Sequence, residues 1–108
     1  MADTHPPKSG IYLIIDFDWP NPFEPEHGKN ARKLHNVVQN QDWIREIITA
    51  SDGVGAGPSS SWIFWLENYA ALDRLFRDTG DEVHLAYQGF FADMPIVVEK
   101  IRHEVIFL

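Results

Sequence analysis

Apolar and polar positions in this chain alternate in a way that is clearest between Ser59 and Phe76. Trp62 to Leu66 reads as a strand whose residues are apolar on both sides, which predicts a strand covered on both faces. Asn68 is a suitable helix cap, and the apolar recurrence after it predicts a helix from Tyr69 to about Phe76. A small protein with such a strand needs a second layer of structure on each side of its sheet.

Three further strands are predicted by the same period of two. The first runs from Ile11 to Phe17, and the second from Trp43 to Thr49, with Ile44 and Ile48 on one face. The glycine-rich segment SDGVGAGPSS after the second strand predicts a hairpin to the third. The last strand is expected from Val97 to Phe107, with His103 directed into apolar surroundings.

Helical spacing predicts a first helix from Lys29 to about Asp42 and further helical turns within Asp81 to Met94. Residues 19–28 contain three prolines and a glycine and are expected to form a loop. Residues 1–10 are expected to be a loosely ordered lead, within a single domain that spans residues 1–108.

The order of strand, helix, strand, strand, helix, strand predicts an α+β fold of the ferredoxin type, with an antiparallel sheet and its helices on one face. The other face then keeps bulky apolar groups: Ile14, Ile63 or Phe64, Trp62 or Trp65, and Ile106. No segment remains to cover them, so the sequence predicts a homodimer in which two sheets pack face to face, formed at micromolar concentration or below.

The element order over residues 11–107 and the segment WIFWLENYAALDRLF (residues 62–76) resemble the dimeric α+β barrel superfamily. The similarity extends to the antibiotic-biosynthesis monooxygenases and related small proteins. It implies a ferredoxin-like subunit, a barrel formed by two subunits, and a ligand cleft between helices and sheet. The proline-rich loop and the long glycine hairpin depart from the superfamily's pattern, so no subfamily is assigned.

The resemblance implies a small enzyme, a cofactor-independent monooxygenase or an isomerase acting on an aromatic or polyketide-like small molecule. The alternative is a non-catalytic ligand-binding or stress-associated dimer. A third possibility, haem binding or degradation, is implied by the resemblance to haem-degrading relatives, in which a histidine on this helix ligates iron, because Trp65 and His84 reproduce the spacing found there. Against it, Arg74 stands where haem-degrading relatives have an aromatic residue. Whether the protein is an enzyme stays open at this stage, and no cofactor or metal is expected.

Charge and composition limit the partners. The net charge is -7, from nine Lys and Arg against sixteen Asp and Glu, which disfavours nucleic acid as a ligand. The absence of cysteine excludes disulfides and thiolate chemistry. The N-terminal residues lack a signal-peptide pattern and no apolar run reaches membrane-spanning length. We therefore expect a cytoplasmic protein with no membrane partner.

Candidate site residues come from side chains that exchange protons or form aromatic walls. The predicted catalytic residues are His35, His84 and Tyr87. The predicted substrate-binding residues are Trp19, Trp65, Tyr12 and Phe90. Histidine at such positions is more often a packing residue than a catalytic one, and aromatic residues at core spacing are first of all core.

Two other motifs have simpler explanations. Asp16 and Asp18 share one face at the end of the first strand and could share a proton or hold a metal, although such a pair more often marks a strand leaving the core. The glycine-rich segment resembles a phosphate cradle superficially, but it lacks the phosphate-binding pattern and a following helix.

Overall fold

A computed structural model of the chain describes residues 9–107, so most of the expected N-terminal lead lies outside the described residues. Four strands and three helices follow one another in this order: β1 (Ile11–Asp18), α1 (Pro25–Gln39), β2 (Ile44–Ser51), β3 (Ser60–Leu66), α2 (Tyr69–Arg77), α3 (Glu82–Phe91) and β4 (Ile96–His103). The predicted α+β class and the hairpin between β2 and β3 are confirmed.

The strands form one antiparallel sheet in the order β2-β3-β1-β4. β1 and β3 are therefore the central strands, and β2 and β4 are the edges. α1 crosses from β1 to β2, while α2 and α3 together connect β3 to β4. This connectivity places all three helices on one face of the sheet, the helix-side face, and leaves the other as an open face.

The central strands alternate as the sequence predicts. Every second residue of β1 and β3 is buried on the helix-side face, while the residues between are half-buried. The alternatives left open for β3 are decided by its register, because Ile63 pairs with Ile14, and Trp65 with Tyr12. Ile63 and Trp65 therefore lie on the open face, whereas Trp62 and Phe64 lie under the helices.

α1 begins four residues earlier than predicted, inside the segment expected to be a loop. Proline is favoured in the first helical turn, because its fixed φ suits the helix and its missing N–H has no partner there. Pro25 takes this place, and the backbone N–H of Glu24 donates to Nδ1 of His27 at 3.0 Å. The proline that suggested a break therefore starts the helix.

The prediction that Ile44 and Ile48 share a face is wrong. A β-bulge lies between Ile44 and Glu46, which pair with the consecutive residues Leu66 and Trp65. A bulge inserts one extra residue and reverses the faces of everything that follows. Ile44 is therefore buried under the helices, while Ile48 lies on the open face with 44% of its surface exposed.

The last strand is shorter than predicted, because β4 ends at His103. Val105, Ile106 and Phe107 continue as an exposed segment. His103 is also exposed, contrary to the expectation of apolar surroundings. As an edge strand, β4 is covered less completely than β1, so residues at its helix-side positions stay in contact with solvent.

A cluster of aromatic rings fills the core at one end of the sheet. Phe17 is fully buried, and its ring centroid lies 5.2–5.9 Å from those of four other aromatic residues, Trp19, Trp62, Phe90 and Phe91. All four contacts are edge-to-face, the arrangement that aromatic quadrupoles favour. This cluster joins β1, β3 and α3.

Phe17→Ala should lower the free energy of unfolding by about 3–5 kcal/mol, because it removes the ring at the centre of this cluster and leaves a cavity. Phe17→Leu should cost less, roughly 1–2 kcal/mol, and keeps the effect measurable if the alanine variant does not fold. Urea denaturation followed by tryptophan fluorescence provides the measurement. The matched control is Phe107→Ala, since Phe107 is 91% exposed and should contribute almost nothing. Equal effects at the two positions would contradict this account of the core.

Candidate functional site

The helix-side face of β4 carries two hydrogen-bonded pairs of polar side chains. The first joins α3 to β4: the hydroxyl of Tyr87 donates to Oε2 of Glu99 at 2.6 Å. Glu99 pairs with Ile15 across the sheet and therefore points to the same side as that buried residue. The Tyr87 ring is buried against the rings of Phe64, Phe76 and Phe91, which fix its position.

Burial raises the pKa of Tyr87 well above its ordinary value of 10.0, and the hydrogen bond to Glu99 and that residue's negative charge raise it further. All three effects favour the protonated phenol over the phenolate. Tyr87 is therefore a hydrogen-bond donor that holds Glu99 in place. It is not suited to act as a base near neutral pH.

A cleft of about 450 Å³ opens beside this pair, between α3 and β4. Its walls are largely apolar, and its lining residues are Tyr87, Gln88, Phe91, Ala92, Val97 and Glu99. Tyr87 occupies Oε2 of Glu99, and no group within residues 9–107 hydrogen-bonds to Oε1. One oxygen of a fixed carboxylate is thus available to a ligand in the cleft.

The second pair lies further along β4. Tyr69 is the first residue of α2, and its hydroxyl lies 3.0 Å from Nε2 of His103. Asn68 fixes the start of α2, because its side chain accepts a hydrogen bond from the Ala71 N–H at 3.0 Å, as the sequence predicts. His103 pairs with Ile11 across the sheet and therefore shares the face of Glu99, four residues before it.

No protein-family model matches the sequence, and no curated protein matches it significantly. Solved structures do match its fold. A hydroxynitrile lyase from Passiflora edulis is 12% identical in sequence, with a TM-score of 0.74 over 95% of this chain and 99% of that one. A dimeric ferredoxin-like protein of unknown function from Thermobifida fusca YX is 16% identical, with a TM-score of 0.65 over 93% of this chain and 95% of that one.

A hypothetical Arabidopsis thaliana protein is also similar, at 11% identity and a TM-score of 0.68 over 97% of this chain and 96% of that one. The chain has a ferredoxin-like α+β fold. The fold predicted from the sequence is therefore confirmed. Identities this low say nothing about chemistry, which depends on side chains rather than on the path of the backbone.

The ferredoxin-like frame separates the seven predicted site residues into different places. Tyr87 alone lines the cleft between α3 and β4. Trp19 and Phe90 belong to the aromatic cluster around Phe17. Tyr12 and Trp65 stack on each other with ring centroids 6.1 Å apart on the open face, so the sheet lies between them and Tyr87.

The two predicted catalytic histidines lie away from the cleft. His35 is half-buried on α1. His84 lies one helical turn before Tyr87 and is 2% exposed, and its Nδ1 donates to the carbonyl oxygen of Leu75 at 2.9 Å, near the end of α2. Its Nε2 is buried without a hydrogen-bond partner among the described residues. The roles assigned to both histidines stay predictions.

The structure does not fit the haem alternative. An axial ligand needs an imidazole nitrogen that faces an open pocket, whereas His84 is buried and does not line the cleft between α3 and β4. Trp65, the other residue of that comparison, lies on the opposite side of the sheet. Metal binding has no support either, since no three His, Asp or Glu side chains within residues 9–107 come together as ligands.

Asp16 and Asp18 do not act as a carboxylate pair, because each has its own partner. Asp16 contacts Nζ of Lys100 at 2.7 Å and accepts from the Ser61 hydroxyl at 2.6 Å, and these two bonds lower its pKa. The stabilisation from this pair is complete above about pH 4 and is lost as pH falls through the lowered pKa of the folded state. Asp18 accepts from the backbone N–H of Ser59 at 2.7 Å.

The glycine-rich segment is a hairpin turn, as predicted. Gly53, Gly55 and Gly57 have positive φ angles, which glycine adopts without strain. A cleft of about 420 Å³ lies beneath it, but Asp52 is the one titratable residue that lines it. This cleft offers no group of side chains that converges on a ligand.

Tyr69, Glu99 and His103 were not predicted as site residues. The signal that could have found them is the period of two in β4, which places Val97, Glu99, Ile101 and His103 on one face. The sequence does not show that the helices leave this face partly uncovered. That depends on how α2 and α3 are placed over the sheet.

Tyr87→Phe should flatten the alkaline limb of the stability curve. In the unfolded chain Tyr87 loses its proton near pH 10, whereas in the folded protein it keeps the proton to higher pH. Above about pH 10 this residue therefore lowers the free energy of unfolding by up to about 1.4 kcal/mol per pH unit. The stability difference between wild type and variant should shrink between about pH 8 and about pH 11 in urea titrations. A constant difference would contradict the raised pKa.

Proposed function

We propose that this protein binds a small, largely apolar molecule in the cleft between α3 and β4 and catalyses a proton transfer on it without a cofactor. The observation that supports this proposal is the Tyr87–Glu99 pair at the cleft, a carboxylate fixed by a buried phenol with its second oxygen available. A fixed carboxylate within reach of a bound molecule is a general base.

The roles of the two residues follow from their hydrogen bond. Oε1 of Glu99 takes a proton from a C–H or O–H group of the ligand and returns it at a second position, so the net reaction is an isomerisation. If a leaving group departs after the proton is taken, the reaction is that of a lyase. Tyr87 stabilises and orients the carboxylate and does not itself change protonation state.

The fold is compatible with such chemistry, since one protein of similar structure is a hydroxynitrile lyase. That likeness concerns the backbone, so its activity is a reason to test a substrate class and not evidence for one. The monooxygenase alternative begins with the same proton abstraction and then consumes dioxygen. The two reactions are therefore distinguished by oxygen uptake.

A non-catalytic ligand-binding protein is the second candidate. The observation that favours it is that both polar side chains on the helix-side face of β4 are paired with a tyrosine hydroxyl from a helix. Paired groups at the edge of an apolar cleft can serve recognition alone, because they offer fixed donors and acceptors to a ligand. In this case the same cleft binds a small molecule and releases it unchanged.

We also propose that two copies of the chain pack through their open faces. One row of this face is apolar from β2 to β1, because Ile48, which is 44% exposed, pairs with Ile63, and Ile63 pairs with Ile14. Val98 on β4 is also 44% exposed and lies opposite Asp16. Two charges of this face, Asp16 and Lys100, form an ion pair and can be buried together, whereas the exposed Glu46 and Arg102 lie on the edge strands and suit the rim. A similar solved structure is described as a dimeric ferredoxin-like protein.

None of the three helices within residues 9–107 has the length and apolar character that crossing a membrane requires.

Glu99→Gln should lower the rate of proton transfer by about 100-fold or more, since it removes the base and keeps the shape of the side chain. Two substrates test this: mandelonitrile, whose cleavage releases benzaldehyde and is followed by absorbance, and α-tetralone in D₂O, whose α-proton exchange is followed by NMR. An oxygen electrode identifies any monooxygenase reaction. The matched control is Glu26→Gln, in the exposed first turn of α1. A wild-type protein that turns over neither substrate and consumes no oxygen would contradict catalysis in favour of ligand binding alone.

Ile48→Lys should convert the dimer to a monomer, because it places an unpaired charge from each copy into the interface and should weaken association by about 100-fold or more. Sedimentation velocity at micromolar concentration should give twice the chain mass of 12.4 kDa for the wild type and a single chain for the variant. Leu85→Lys is the matched control, since Leu85 is 54% exposed on α3, away from the open face. A monomeric wild type, or dissociation by both substitutions alike, would contradict the interface.

A further inference from the structure

We propose that the ligand of this site is a flat apolar molecule with a hydroxyl group at each end, which lies along β4 and contacts both polar pairs. This inference rests on the proposed function, because Glu99 is the group that both use, and it extends the binding site from the cleft beside Glu99 along β4 to His103. The observations behind it are the positions of the two pairs, the surface between them and the charge at one end.

The two pairs lie at the two ends of one strip of surface, on the helix-side face of β4 beside α2. On β4, Glu99 and His103 are four residues apart on one face, which places them ~13 Å from each other at the rise of a strand. On α2, Tyr69 lies beside His103, and Phe76 lies 5.7 Å from the ring of Tyr87. From Tyr69 to Phe76 the helix rises by ~10 Å. The helix and the strand therefore run side by side over a similar length.

The surface between the pairs is apolar and accessible. Ile101 lies midway between Glu99 and His103 on the same face and is 36% exposed, although it pairs with the fully buried Leu13. Phe76 on α2 is also only partly buried. An exposed apolar strip with a fixed polar pair at each end suits a ligand whose own polar groups are at its two ends.

The chemistry of the two ends selects hydroxyl groups. Glu99 offers a carboxylate oxygen, so the ligand group beside it must donate a hydrogen bond, and an acidic group is repelled. At the other end, the Tyr69 hydroxyl and the His103 ring can each donate or accept. A hydroxyl meets both requirements. The net charge of -7 further disfavours an anionic ligand.

Three phenols distinguish the effect of ligand length on affinity from the effect of the number of hydroxyl groups. Hydroquinone has two hydroxyls on one ring, para-phenylphenol has one hydroxyl on two rings, and para,para′-biphenol has two hydroxyls on two rings. Isothermal titration calorimetry with wild-type protein should show biphenol binding at least ~10-fold more tightly than either of the others, because it alone reaches both pairs.

Variants assign each end of the ligand. Tyr69→Phe keeps the ring but removes the hydroxyl, and should reduce the affinity for biphenol to that of para-phenylphenol while leaving para-phenylphenol unchanged. Tyr12→Phe is the matched control, since Tyr12 lies on the open face, and it should change neither affinity. Glu99→Gln should weaken the binding of both two-ring compounds.

The outcomes separate this inference from the proposed function. Equal affinity of biphenol and para-phenylphenol, or insensitivity of biphenol to Tyr69→Phe, would overturn the two-ended ligand while leaving proton transfer by Glu99 intact. Absence of binding by all three phenols would also overturn it. The proposed function fails separately, if Glu99→Gln has no effect on proton exchange in an active wild-type protein.

Discussion

The two central strands, β1 and β3, present side chains of low polarity on both faces, and the structure depends on how those faces are covered. One face is covered within the chain: its residues are almost completely buried under α1, α2 and α3. Because apolar burial is the main favourable contribution to folding, this layer decides the positions of the helices. Phe17 has a special place, since its ring connects two strands and α3 through four edge-to-face contacts.

Covering the central strands leaves the edge strand β4 partly exposed. The helices pack over β1 and β3, so Glu99, Ile101 and His103 are solvent-accessible although they point to the helix side. An apolar edge of this kind is a liability unless polar groups limit it or a partner covers it. Here Tyr87 and Tyr69 reach from the helices to the two polar residues of β4. The same contacts close the edge of the core and form the polar part of the candidate site.

The open face is also an apolar surface that the helices leave uncovered, and here the candidate cover is a second copy of the chain. Two carboxylates of this face have partners within the chain: Asp16 contacts Lys100 and Ser61, and Glu104 accepts from the Gly10 N–H at 2.7 Å and the Trp65 indole N–H at 3.2 Å. Arg45 adds a contact over the ring of Trp65. The exposed charges Glu46 and Arg102 lie on the edge strands of this face, so a second copy can bury the apolar row between them while both stay at the rim.

The sequence by itself determined the order of the strands along the chain, the α+β class and the existence of a second apolar face, because the period of a strand or helix is a local property that its own residues encode. Local chemistry also set the start of α2 at Asn68. Prediction from the sequence failed where a single residue changes the structure that follows it. The bulge in β2 reversed the face of Ile48, and Pro25 began a helix inside a segment that was predicted to be a loop.

The candidate site was decided by tertiary structure alone. Tyr87 was expected to be functional, but its partner Glu99 lies twelve residues away on another element. Tyr69 and His103 are separated by thirty-four residues. Whether two such side chains meet depends on where α2 and α3 settle over the sheet, and that position is fixed by the packing of the core and not by any pattern along the chain.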